Sequence, residues 1–500
     1  MNSEIGKLGK HTMIYGIGIV AGKAASFIML PIYTRYLTPR DYGILELLIT
    51  TIDIIAMIAA VGLTGAVFKF YSQYDEPEDK KEVISTVVVM MMSMTAITAM
   101  VGLGISPLMS RLVFGDAEYA GYFRLLFAIY FLQSGIAVIP LIFIRAMQDS
   151  TRFVVINLCK LAIQVGLNIY FLVIVKLGVT GVLYSALLAE FLIGGYLIYH
   201  TLQRVGFRFS LSKCREMIRF GYPFIFVSLG GFLLTSSDRY ILNAFSDLEA
   251  VGLYALAYKF GFILSTVAFM PFNLVWESQR FEIAKREGAQ LIFKKVFFYC
   301  NLLIVTLSLL ICLFVRDFLA VMSDASYLAA YKIVPIIIII YIVQIWASFC
   351  NLGLYLKGRS RYMATSALTA AAVAVVLNLI LVPRYGAYGA GLATAGACFV
   401  RFILVYRLSQ ALYPIDYGWG KQTLVLAVAG GIYLVGRVGE MGSLTGSLIV
   451  NMALMAVFVL IAYRFFLEKE ERSVIRPKNL WATMHRVIGT PRPFRGTVGL

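Results

Sequence analysis

Charged residues, cysteine and histidine are all scarce in this 500-residue chain, and each scarcity removes a class of function. Asp, Glu, Lys and Arg supply only 14% of the residues against 60% hydrophobic types, which is too apolar for a soluble protein. The three histidines, His11, His200 and His485, are widely scattered at helix ends or in the tail and offer no local metal cluster. Six cysteines (Cys159, Cys214, Cys300, Cys312, Cys350 and Cys398) lie in or beside apolar segments without paired or metal-like spacing, so buried structural thiols are expected. No G-x-x-x-x-G-K-[ST] loop occurs, and the longest hydrophilic connections, roughly 67–82, 203–219 and 277–291, leave little room for an ATPase or other enzymatic domain. No catalytic set, metal or cofactor is therefore expected. No cleavable signal is expected either: Lys23 interrupts the first apolar segment, and no small-residue cleavage site leads into a soluble domain.

What the chain has instead is hydrophobic length. Its mean hydropathy is +0.82. Stretches able to span about 30 Å of hydrocarbon fall near 12–34, 42–66, 83–106, 121–144, 153–175, 180–202, 217–242, 251–276, 292–315, 331–355, 362–382, 387–409, 421–437 and 443–466. They predict an all-α polytopic membrane protein with fourteen transmembrane helices, since isolated strands leave backbone groups unsatisfied in lipid. The fourth segment is interrupted by Gln133 and Pro140, and the thirteenth is short. Pro31, Pro140, Pro223, Pro271 and Pro335 fall in or near helices, where each is able to bend one.

The chain also repeats itself. Asn168 begins NIYFLVIVKLGVTGVLYSALLAEF, and Asn378 begins the related NLILVPRYGAYGAGLATAGACF about 209 residues later. Each copy carries a Gly-x-x-Gly turn, Gly178/Gly181 and Gly386/Gly389, between apolar segments. Gln148–Phe153 aligns with Lys357–Tyr362, and Thr38–Ile44 with Asp247–Leu253. A nearly constant offset at three places predicts a duplicated six-helix unit: residues 1–209 and 210–418 as two lobes, 419–467 as helices 13 and 14, and 468–500 as a basic cytoplasmic tail.

Lysine and arginine sort to alternate loops. Lys7, Lys10, Lys69, Lys80 and Lys81, the run from Arg204 to Arg219, the run from Arg280 to Lys295, and Lys357, Arg359 and Arg361 share one side. That bias places both termini in the cytoplasm and explains much of the formal net charge of +17. The same charge suits anionic inner-leaflet lipids and requires no nucleic acid.

Ionisable residues inside apolar segments are the candidate functional groups, because a charge at mid-bilayer must face water or a partner. Lys23 lies near the middle of helix 1, Glu46 and Asp53 on helix 2, Lys160 on helix 5, Glu190 on helix 6, Lys259 on helix 8 and Arg401 on helix 12. Structural ion pairing or snorkelling is the alternative for each. Shifted by the repeat interval, Lys23 meets Phe232, Asp53 meets Phe262 and Lys259 meets Thr50, so the backbone repeats while the chemistry does not. Cations at mid-depth favour an anionic headgroup such as a pyrophosphate, and Asp53 or Glu46 is placed to neutralise a lysine or bind a coupling cation. Asp238 and Arg239 near the outer end of helix 7 are candidates for an extracytoplasmic gate. Tyr254, Tyr258 and Lys259 recur at helical spacing and suit sugar stacking with phosphate attraction, or an interfacial tyrosine belt.

Four stretches stand out: Leu30-Pro31-Ile32-Tyr33-Thr34-Arg35-Tyr36-Leu37-Thr38-Pro39 with Asp41-Tyr42-Gly43; Phe68-Lys69-Phe70-Tyr71 before an acidic loop; Ser237-Asp238-Arg239-Tyr240 leading to Val251-Gly252-Leu253-Tyr254; and Tyr258-Lys259-Phe260-Gly261. Together they resemble the bacterial polysaccharide biosynthesis family of Wzx-type oligosaccharide flippases, within the multidrug/oligosaccharidyl-lipid/polysaccharide exporter superfamily, and the likeness covers about residues 8–465. The resemblance implies a two-lobed inner-membrane protein that rocks between inward- and outward-open states. Its cargo would be an undecaprenyl-pyrophosphate-linked oligosaccharide, moved to the outer leaflet under a proton or sodium gradient alongside glycosyltransferases and a polysaccharide polymerase. It also implies a cationic central cavity, for which Lys23, Lys259 and Arg401 are the candidates. A lipid II or related precursor flippase and a cation-coupled small-molecule exporter are the alternatives. The first usually carries an arginine-rich cavity, and the second suits acidic pockets better than a lysine-bearing one.

Overall fold

The computed structural model describes residues 29–59, 63–359, 361–438 and 444–467, and no strand occurs among them. Lipid enforces this outcome, because only intrahelical hydrogen bonding satisfies a spanning backbone that is not a closed barrel. Buried hydroxyls follow the same rule: Thr34, Thr51, Thr95, Ser106 and Ser185 each donate to the carbonyl four residues back.

The helices run α1 Leu30–Tyr36, α2 Pro39–Ala59, α3 Leu63–Gln73, α4 Pro77–Phe114, α5 Ala120–Ala146, α6 Ser150–Ile174, α7 Gly178–Val205 and α8 Leu211–Phe245. They continue as α9 Leu248–Leu264, α10 Met270–Ile283, α11 Ala289–Met322, α12 Val334–Cys350, α13 Leu352–Leu356, α14 Arg361–Leu412, α15 Trp419–Val438 and α16 Leu444–Ile461. Nine of the described helical segments are long and apolar enough to cross a bilayer. This is a multi-pass membrane protein. The first expected span lies largely outside the described residues, as does the tail 468–500.

Irregularities in the sequence become local geometry. The interruption at Gln133 is a π-helical stretch, Phe131–Ala137, inside α5. Pro31 and Pro335 occupy first turns, where a missing N–H costs nothing, so they start helices rather than bend them. The eleventh and twelfth expected spans form one long α14, whose break lies at Gly386.

The repeated phrases have counterparts in backbone dihedrals. Gly178 (φ +56°) and Gly386 (φ +53°), the first glycines of the two Gly-x-x-Gly turns, both have the positive φ that glycine adopts without strain. Gln148 (φ +59°) is matched by Gly358 (φ +62°), one position beyond the Lys357 opposite which the sequence alignment sets it. Thr38 caps α2 in a box with Asp41, each backbone N–H meeting the other's side chain, and the Asp247 carboxylate caps α9 by accepting from Ala250 N at 2.7 Å.

These equivalent helices pack against each other through equivalent glycines. A Cβ on Gly43 would stand 2.0 Å from the Leu248 carbonyl oxygen, and one on Gly252 would stand 1.9 Å from the Pro39 carbonyl oxygen. Gly43→Ala and Gly252→Ala should therefore each force α2 and α9 apart, at about 1–3 kcal/mol. Gly104→Ala, with open space around it inside α4, should leave the melting temperature unchanged or raise it. Thermal denaturation of the three purified variants checks this, and equal melting temperatures in all three would refute the close approach.

Contacts divide the chain into two compact units, Ile14–Glu282 with Phe318–Pro414, and a second containing Ile283–Asp317 and the chain from Ile415. In the first, α8 begins in the core of the first copy, with Cys214 and Met217 among Val83, Ile84, Val87 and Met90. Its later turns meet α14, where Gly230 lies against Leu368 and Asp238 against Thr394. Small residues make that approach possible: Ala370, Ala374, Ala390, Ala393 and Ala397 are buried at helical spacing along α14. The acidic first turns of α4 take up the cations that follow α7. Lys213 pairs with Asp79 and Glu82, Arg208 pairs with Glu78, and Arg208 N donates to Ser85 Oγ. In the second unit Leu309 and Leu313 of α11 pack with Val425, Ile432 and Phe458. Beside them Asp317 accepts from Ser447 and Asn451.

Candidate functional site

Within the first unit, α2, α8, α9 and α14 bring four of the candidate charges together. Arg239 is buried, and its Nε donates to Glu46 Oε1 at 2.8 Å across from α8 to α2. Its Nη1 donates to Asp238 Oδ1 at 3.1 Å and to the Thr235 carbonyl at 2.8 Å. The guanidinium lies over the Tyr258 ring, 4.5 Å from its centroid, so it is held by charge, hydrogen bonds and a π face at once.

Asp238 turns its other oxygen to three hydroxyls. Tyr254 OH donates to Oδ2 at 2.6 Å, Thr394 Oγ1 at 3.1 Å and Tyr258 OH at 3.3 Å. Tyr254 and Tyr258 are buried, one turn apart on α9. Their hydroxyls are spent on the carboxylate.

Lys259, next along α9, behaves differently. Its ammonium lies 3.8 Å from Glu46 Oε2 and the side chain is 38% exposed, a loose pairing beside the tight one. Asp53, two turns along α2 from Glu46, is exposed. Thr51 and Tyr240 add a hydroxyl bond of 2.8 Å between α2 and α8. The asymmetry follows the sequence repeat: Glu46 comes from the first copy, Arg239 and Lys259 from the second, and no equivalent charge answers any of them.

The remaining candidates fall elsewhere in the bonding pattern. Lys160 of α6 and Glu190 of α7 pair with each other, leaving Glu190 Oε2 buried without a hydrogen bond. Arg401 on α14 has a buried Nε without an acceptor. Lys23 lies outside the described residues. Sequence reasoning missed Thr394, Thr51 and the glycine pair; the glycines stood inside the aligned phrases, whereas nothing local marks the two threonines.

The pairing of Lys160 and Glu190 gives a direct test of its role. Lys160→Met should strand a buried carboxylate at a cost of about 3 kcal/mol, and adding Glu190→Leu should restore most of the melting temperature with transport retained. A stable double variant that no longer transports would assign the pair to coupling.

Comparison with known proteins agrees with this architecture. A lipid II flippase, MurJ, in an inward closed conformation superposes with a TM-score of 0.70 at 12% identity, over 91% of this chain and 100% of that one. An inward-facing multidrug resistance transporter of the MATE family, in the MOP superfamily, gives 0.63 at 15% identity over 80% and 94%. A MOP superfamily transporter from Pyrococcus furiosus gives 0.53 at 16% over 80% and 95%. At these identities the likeness is one of fold. A membrane protein of Methanocaldococcus jannaschii is 24% identical over 232 residues, 44% of each chain, so the match spans less than half of that relative. The pattern of the family described as polysaccharide biosynthesis protein matches residues 8–276, more than half of the 500 residues, and the chain belongs to that family.

Proposed function

We propose that this protein moves an undecaprenyl-pyrophosphate-linked oligosaccharide from the cytoplasmic to the outer leaflet of a bacterial inner membrane, both of its termini being cytoplasmic. The observation that carries the reading is Lys259: a partly exposed ammonium beside buried, fully engaged partners, in a chain of the polysaccharide biosynthesis family. A diphosphate competes well for such a lysine, because its oxygens approach closer than the 3.8 Å at which Glu46 stands. Glu46 need not follow, since Arg239 retains it at 2.8 Å.

In this reading the contacts between copies form the outer gate. The Glu46 to Arg239 pair, the Thr51 to Tyr240 bond and the apposed glycines tie α2 to α8 and α9. Opening outward breaks them, and an ion pair parted in a poorly screened interior needs compensation. A proton on Glu46, or a sodium ion taking the place of Arg239 beside Asp238, supplies it. Gradient energy thus enters where the gate is locked, while cargo binds at the neighbouring lysine.

The decisive experiment reconstitutes the protein in liposomes with defined lipid-linked glycans under imposed proton or sodium gradients. Gradient-dependent flipping of the glycan lipid is expected. Export of a cationic dye with no flipping of any glycan lipid would transfer the chain to the small-molecule exporters.

A further inference from the structure

A second candidate site lies in the other compact unit. A cavity of about 90 Å³ opens among the first turns of α11, the start of α15 and the end of the α16 segment. Three lysines line it, Lys294 and Lys295 from α11 and Lys421 from α15, with Phe298, Tyr417 and Phe466 as aromatic wall. We infer that this cavity holds the phosphate of a resident anionic phospholipid.

Its walls are fixed in advance. Tyr417 packs edge-on against Phe297 at 5.0 Å and tilts against Trp419 at 6.0 Å. Gln422 is pinned from both ends, its Nε2 donating to the Tyr417 carbonyl at 3.1 Å and its Oε1 accepting from Asn301 at 2.9 Å. Gly418 is left-handed, with φ +63°, and a Cβ there would stand 3.1 Å from Lys294 Cε. The bare backbone lets Lys294 lie across the turn to pair with Asp416, whose other oxygen accepts from Gly418 N at 2.9 Å. The hydrogen bond from Lys294 holds the Asp416 carboxyl below the usual carboxylate range, so it stays ionised.

Charge and depth select the ligand. Lys294 is matched by Asp416 at the rim, whereas Lys421 has no ion-pair partner among the described residues, which leaves it available to an anion. Three hydrophobic helices end or begin around it, so it sits at the membrane–water boundary where lipid phosphates lie. The volume admits a phosphate group. A soluble anion would gain nothing from Phe298, Tyr417 and Phe466, whereas a glycerol backbone and acyl chains would cover them. The inference stands apart from the cargo reading, since it uses none of the central residues.

The test titrates the purified full-length chain in detergent with short-chain phosphatidylglycerol, phosphatidylcholine, inorganic phosphate and a polyprenyl phosphate, following the melting temperature. Phosphatidylglycerol should raise it saturably, with phosphatidylcholine and inorganic phosphate ineffective. Lys421→Glu should weaken that response by about tenfold or more. Because Lys421 makes no ion pair among the described residues, the variant should fold normally; Lys421→Gln serves as a milder second variant. Equal stabilisation by phosphatidylcholine, an unchanged response in both variants, or a full response to phosphate alone would overturn the inference. A response to the polyprenyl phosphate but not to phosphatidylglycerol would reassign the cavity to cargo and overturn it as well.

Discussion

Arg239→Ala should abolish glycan flipping and lower the melting temperature of the purified protein more than any other single change at the central cluster. The guanidinium is buried and bonds two carboxylates, a backbone carbonyl and a tyrosine face. Removing one partner of such a network typically costs about 3–5 kcal/mol, because the charges left behind lose their compensation. The damage falls unevenly. Asp238 keeps the hydroxyls of Tyr254, Tyr258 and Thr394, while among the described residues Glu46 keeps only Lys259 as an ion-pair partner, at 3.8 Å. Adding Glu46→Gln should therefore recover much of the lost stability without recovering transport, since the gate would be neutral but no longer coupled. Arg239→Lys keeps the charge and loses the fork, so it should fall between wild type and Arg239→Ala in both assays. Melting temperatures in detergent, set beside flipping in liposomes, separate these outcomes. A stable, fully active Arg239→Ala would remove the cluster from the mechanism.

The all-α spans and the charged positions were legible because membrane sequences write them in coarse symbols. Apolar length marks spans, glycine marks turns, and a charge within an apolar run is conspicuous at any register. Glycine positions foretold the left-handed backbone at Gly178 and Gly386, while Gln148 adopts the same conformation without the signal. Pairing was less legible. Arg239 was readable as a candidate gate residue, but its partner across the helices is Glu46, 193 positions away on α2, while Asp238 bonds both Arg239 and the tyrosines of α9. Nothing local records which turn of α2 faces α9; the apposed glycines decide it, through a distance of approach that only the folded backbone reveals. Tyr254 and Tyr258 show the same limit, since spacing put them on one face and only packing showed that face turned inward to a carboxylate.

Lys259→Ala should show the opposite signature, a large loss of flipping with little loss of stability. Its contact with Glu46 is long and the side chain is 38% exposed, so solvent-screened pairing contributes at most about 1 kcal/mol to folding. Glu46 remains compensated by Arg239 after the change. A phosphate bound at the ammonium would instead lose a charge-assisted contact worth about 1.5–3 kcal/mol, roughly ten- to a hundredfold in cargo affinity. Lys259→Arg should preserve much of the activity, because the charge and reach survive, whereas Lys259→Glu should repel the diphosphate and fall below Lys259→Ala. Excess glycan lipid should rescue Lys259→Ala but not Arg239→Ala, because the first weakens binding and the second disables the gate. That split is the measurement to make: flipping rate against glycan-lipid concentration, with membrane abundance and melting temperature held in view. Full activity of Lys259→Ala at limiting substrate would place the cargo phosphate elsewhere in the protein.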